Sequence, residues 1–136
     1  MQIADKRKDD KQDTLLKELL REKAAVLSRA GFAVDDAIKQ LKKIDAEIEE
    51  KISLLNALDF HDRMPEVLKK KQIIREEINL SIDKFNAIHQ KAELQYYYLI
   101  VTREALGMRR HEKVREIYRI PDKKKKYGRF NGHFNG

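Results

Sequence analysis

The chain has no cysteine and no tryptophan, and only five glycines and two prolines among its 136 residues. Without cysteine there is no disulfide frame, no thiolate zinc site and no iron-sulfur cluster. Gly and Pro make up about 5% of the residues, against ~12% in an average protein, which excludes loop-rich all-β and collagen-like architectures. Long apolar runs are missing too. The longest is Tyr96 to Val101, far short of the ~20 residues a membrane-crossing helix requires. The densely charged stretch from Met1 to Lys11 has no apolar core of a secretory signal, so the expectation is a cytoplasmic protein with no membrane span.

Ala, Glu, Lys, Leu and Arg supply about half of the chain, a level that marks long helices and coiled coils. Charged residues are 39% and apolar residues 41%, which suits a thin helical body better than a globe around a deep core. The net charge of +7 is concentrated at one end. Residues 1–108 hold 20 basic and 20 acidic side chains, whereas residues 109–136 hold 10 basic ones against Glu112, Glu116 and Asp122. Attraction to a polyanion would therefore act locally, through the C-terminal region.

Hydrophobic periodicity predicts an all-α fold: an elongated antiparallel helical hairpin or coiled coil, with an additional N-terminal helix, a short C-terminal helix and a basic flexible tail. After a flexible charged N-terminus (1–12), a single helical domain (13–120) is expected. Its first helix spans about 13–30, capped by Asp13 or Thr14, carrying Leu15, Leu16, Leu19, Leu20, Val26 and Leu27, and stopped by Gly31. The second spans about 35–58, with a narrow seam of Ile38, Leu41, Ile44, Ile48, Ile52 and Leu55. A connection at Asp59–Met64 leads to a third helix (65–106), opened by Pro65 and ended by Gly107. A rod of that length, ~63 Å, cannot bury its stripe against itself. The second helix must run antiparallel beside its first half. The first helix either folds back at Gly31 or continues in line to cover the second half, and the all-round apolar run Tyr96–Val101 favours the in-line arrangement or self-association there. A fourth helix is expected at 109–118, and residues 121–136 are read as a disordered basic tail.

The motifs argue against catalysis. The glycines do not cluster into a phosphate loop or dinucleotide fingerprint. The Glu-x-x-His pairs of a di-iron bundle are absent, and His111-Glu112 has Arg115 where a zincin helix needs its second His. Asp59, His61 and Asp62 gather three potential metal ligands, but Asp and His also favour tight connections by bonding to nearby backbone. His89 reads as an interface histidine. No enzyme, cofactor or metal site is therefore expected.

Two binding surfaces stand out. Tyr96, Tyr97, Tyr98 and Ile100 form the candidate surface for a protein partner or a second copy, consistent with a non-enzymatic adaptor, assembly factor or chaperone-like protein. The alternative is nucleic-acid or polyanion binding through Arg109, Arg110, Lys113, Arg115, Arg119, Lys123, Lys124, Lys125, Lys126, Tyr127, Arg129 and Phe130, where cations would displace counterions and rings would stack on bases. Residues 103–118 have the outline of a helix-turn-helix. However, bulky Arg103 stands where a small residue belongs, Val114 falls one position late, and Glu112 and Glu116 would repel phosphate.

Overall fold

The computed structural model describes residues 2–61 and 63–128, with side chains from Lys6 onward. Three helices account for most of the chain: α1 (Gln2–Ala57), α2 (Pro65–Ala105) and α3 (Glu112–Ile117). A 3-10 turn at Asp59–His61 joins the first two, and no strand occurs among the described residues. Helices α1 and α2 pack as a hairpin. No helix of the described residues is long and apolar enough to cross a membrane.

The hairpin follows from the seams. On α1, Val34, Ala37, Leu41, Ile44, Ile48 and Leu55 are buried at alternating steps of three and four, apart from the missing step near Lys51 and Ile52. That period keeps one line of side chains facing a neighbouring helix. On α2, Ile74, Ile78, Ile82, Phe85 and Ala92 join Leu41, Ile44, Ile48 and Leu55 in the main core. A smaller core unites Val34 and Ile38 with Leu99 of α2 and Val114 of α3. Each Leu or Ile taken fully out of water contributes roughly 1.5–3 kcal/mol, so these two lines supply the main favourable term in the fold.

Helix α2 starts and stops where the sequence places it. Pro65 occupies the first turn, where its missing N–H costs nothing. At the other end Gly107 adopts φ +90°, its N–H donates to the Glu104 carbonyl at 3.0 Å, and the Met108 N–H donates to the Arg103 carbonyl at 2.8 Å. This is a Schellman closure, and it needs a residue without Cβ at its left-handed position.

Three expectations are corrected. First, Gly31 does not end a helix: α1 runs unbroken through it for 56 residues, so the predicted first and second helices are one. The ~1 kcal/mol propensity cost of a mid-helix glycine is outweighed by the burial of Val34, Ala37 and Leu41 just beyond it. Second, the N-terminal segment is helical from Gln2, and Thr14 caps nothing: its hydroxyl donates to the Asp10 carbonyl at 2.9 Å, one turn back inside the helix. Third, the expected in-line continuation is present, but only about Leu27 to Ala30 of the predicted first helix reach α2, and the rest runs past its end. Lys51 donates to Ser81 at 3.4 Å, and this antiparallel register brings Ala105 level with about Leu27. Residues 6–22 lie exposed beyond the end of α2.

The expected fourth helix is shorter than predicted, Glu112–Ile117. The expected loose tail is instead a strap over residues 121–128. Asn86 donates to the Lys124 carbonyl and accepts from the Lys124 N–H, both at 2.9 Å. Asn79 does the same for Tyr127, at 3.2 and 2.7 Å. Seven residues of helix rise ~10.5 Å and three residues of extended chain cover ~10 Å, so two amides two turns apart match backbone groups three residues apart. Tyr127 of the strap and Ile120 just before it pack on the main core. Residues 129–136 of the predicted tail lie outside the described residues.

Candidate interaction surfaces

The predicted tyrosine surface divides in two. Tyr97 and Tyr98 face outward, 62% and 50% exposed, with ring centroids 6.0 Å apart and planes tilted by 55°. Tyr96 and Ile100 are half-buried and pack on the smaller core beside Tyr118 and Ile120. The Tyr96 hydroxyl is enclosed with no hydrogen-bond partner among the described residues. A shallow hollow of about 300 Å³ opens here, lined by Tyr96, Tyr97, Ile100, His111 and Arg115. The four residues therefore do not form one surface. A helix turns its side chains by ~100° per residue, so Tyr96 and Ile100, four apart, share one face while Tyr97 and Tyr98 point away from it.

The ionisable groups beside this hollow serve the corner. Arg103 Nε donates to His111 Nδ1 at 3.2 Å, and its terminal nitrogen donates to the Arg110 carbonyl at 2.8 Å. With Nδ1 accepting, the imidazole carries its proton on Nε2, which lies 3.3 Å from Glu104 Oε2. Arg103, Glu104 and His111 thus bind one another across the Gly107 turn. The six residues of α3 lie against α1 and α2 through Val114, which makes 103–118 a packed helical corner.

The basic residues also separate. Arg109, Arg110, Lys113, Arg115, Arg119, Lys123 and Lys125 are exposed. Lys124 is engaged: its ammonium lies 2.5 Å from Asp45 Oδ1 and 4.9 Å above the Phe85 ring centroid. Lys126 pairs with Asp83 at 2.7 Å, and Tyr127 is partly buried on the core. Arg129 and Phe130 lie outside the described residues. In the hairpin connection, the Lys71 ammonium, almost wholly buried, lies 2.6 Å from Asp59 Oδ1, so this carboxylate neutralises a cation; Asp62 lies outside the described residues. His89 sits buried on the α2 seam, its Nδ1 3.4 Å from Glu93 but without hydrogen-bond alignment.

Two exposed apolar faces lie outside the two binding surfaces expected from the sequence. On the outer side of α2, Ile73, Leu80, Leu94 and Val101 recur at multiples of seven and are all substantially exposed, Leu80 by 69%. Seven residues are close to two turns, so these side chains line one face, and Tyr97 and Tyr98 widen it between Leu94 and Val101. The heptad spacing was the available signal. The second face is on the projecting part of α1, where Leu15, Leu16, Leu19 and Leu20 are each roughly half exposed or more. Exposed apolar stripes of this extent mark contact surfaces more often than plain solvated surface.

Compared with known proteins, the chain matches no family model, no curated protein and no solved structure.

Proposed function

We propose that this chain is a non-enzymatic helical-hairpin interaction protein, an adaptor, assembly factor or chaperone-like component that binds a protein partner or a copy of itself through its exposed helical faces. The observation that carries this reading is the second apolar line on α2: Ile73, Leu80, Leu94 and Val101 lie outside a core that is already closed by Ile74, Ile78, Ile82 and Phe85. A helix needs one stripe to hold a hairpin together, and a second one suits a further helix laid along it. A cytoplasmic setting belongs to the same reading. The polar cluster Arg103, Glu104 and His111 supports a non-catalytic role, because its groups are spent on one another. The nucleic-acid alternative has less support: Lys124 and Lys126 already face Asp45 and Asp83, and Tyr127 lies on the core.

The test is a pull-down from native lysate with the full chain and with a Leu94→Asp/Val101→Asp variant, each with and without nuclease. A protein retained by the wild type, lost by the variant and indifferent to nuclease is the expected result. Retention that depends on nucleic acid, or that ignores the substitutions while circular dichroism shows intact helices, rejects the proposal.

A further inference from the structure

We infer that the projecting part of α1 is the contact with a second copy of this chain, whose own α1 lies antiparallel upon it about a two-fold axis near Glu18. This rests on the reading of the exposed helical faces as contact surfaces, and it names the partner for one of them.

The first support is continuity with an interface already formed. The buried positions Val34, Ala37, Leu41, Ile44 and Ile48 alternate at three and four residues. The same alternation carried toward the N-terminus falls on Ala30, Leu27, Lys23, Leu20, Leu16 and Asp13. Helix α1 does not break at Gly31, so the phase is kept and these positions prolong the line that faces α2. Only the neighbour is missing, because α2 ends level with about Leu27. Leu16 and Leu20 thus occupy core positions of a coiled coil while 55% and 56% exposed, with Leu15 and Leu19 widening the stripe.

The second support is charge complementarity, which selects the occupant. The projecting seam has Asp13 and Lys23 placed symmetrically about residue 18. A parallel pair of arms would set Asp13 against Asp13 and Lys23 against Lys23. An antiparallel pair centred near Glu18 sets Leu16 of each copy opposite Leu20 of the other, and Asp13 opposite Lys23 at both ends. Leu19 then meets its own counterpart across the axis. The interface is self-complementary, as a two-fold contact must be. Lys17 meets its counterpart at the rim, where solvent and salt keep the repulsion small. The paired stretch runs from Asp9 to Leu27, ~28 Å of helix. Sliding the arms by a further heptad would oppose Leu16 to Leu27 but drive each arm deeper against the end of α2.

Sedimentation equilibrium on the full chain tests this. At about 100 µM, well above a micromolar dissociation constant, the wild type is expected to be a dimer of the 16.1 kDa chain. Leu16→Asp/Leu20→Asp is expected to be monomeric with helical content retained. Asp13→Lys or Lys23→Asp alone should each weaken association by about tenfold or more, and the double exchange should restore it to within about threefold, since only the antiparallel arrangement re-pairs opposite charges. A monomeric wild type, a dimer that survives the two leucine substitutions, or a double exchange no better than the singles overturns the inference. None of these outcomes touches Leu94 or Val101, so the reading of the α2 face stands or falls by its own pull-down.

Discussion

The Tyr118 hydroxyl lies so close to the Gly31 backbone that a Cβ placed at position 31 would sit 2.8 Å from it. The ring comes from the end of α3, and its Cζ would be 3.7 Å from the same point. Gly31 is therefore a seat for the C-terminal corner within a helix that continues past it. Its value is steric, and the glycine signal that suggested a stop has another cause.

This relationship predicts a non-additive mutant cycle. In a Tyr118→Phe background the remaining ring is at ordinary van der Waals distance, so Gly31→Ala should stabilise the chain by about 0.5–1 kcal/mol through helix propensity. In the wild type the same change must displace the hydroxyl and should be neutral or destabilising. Equal effects of Gly31→Ala in both backgrounds, measured by urea denaturation, would show that the approach does not matter.

The asparagine pairings predict protease sensitivity. Asn79→Ala/Asn86→Ala removes four hydrogen bonds to the strap. Net values of ~0.5–1.5 kcal/mol per bond imply a strap opening at least tenfold more often. Tryptic cleavage among Lys123–Lys126 should accelerate accordingly while the hairpin stays folded. An unchanged cleavage rate would contradict the placement of the strap.

The two faces of α2 should answer differently to truncation. Ile78 is fully buried, and Ile78→Ala is expected to cost about 2–5 kcal/mol through lost transfer energy and the cavity left behind. Leu80, two residues on and mostly exposed, should change stability by only about 0.5 kcal/mol when truncated to Ala. Comparable losses at both sites in the isolated chain, followed by thermal or chemical denaturation, would place Leu80 inside a core.

The buried Lys71 beside Asp59 allows a test of sign. Lys71→Met keeps most of the volume and removes a charge that is costly to desolvate, so stability should stay within ~1 kcal/mol or rise. Asp59→Ala instead takes a carboxylate from an ammonium almost out of water and should destabilise by about 1–3 kcal/mol. A large loss for Lys71→Met together with none for Asp59→Ala would reverse the account.

Much of the hairpin was legible because its determinants are local. Pro65 and Gly107 mark the ends of α2, and the three-and-four spacing from Ile38 to Leu55 marks the seam that faces it. Gly31 misled because the same residue type serves two purposes, closing a helix or admitting a close neighbour, and only the position of Tyr118 tells which. The tyrosine surface was half legible. Composition flagged Tyr96 to Ile100, but which rings face outward depends on where α3 lies. The strap was invisible because its bonds join Asn79 and Asn86 to residues 48 and 38 positions away, and amide-to-backbone pairing leaves no periodic trace.

By itself the sequence determined helix, hairpin and the uneven distribution of charge, since propensity, spacing and breakers act within a few residues along the chain. Tertiary structure decided which leucines are covered, which lysines are neutralised and what Gly31 is for. Those outcomes depend on the antiparallel register of α1 against α2, and that register is fixed by packing between residues far apart in the chain.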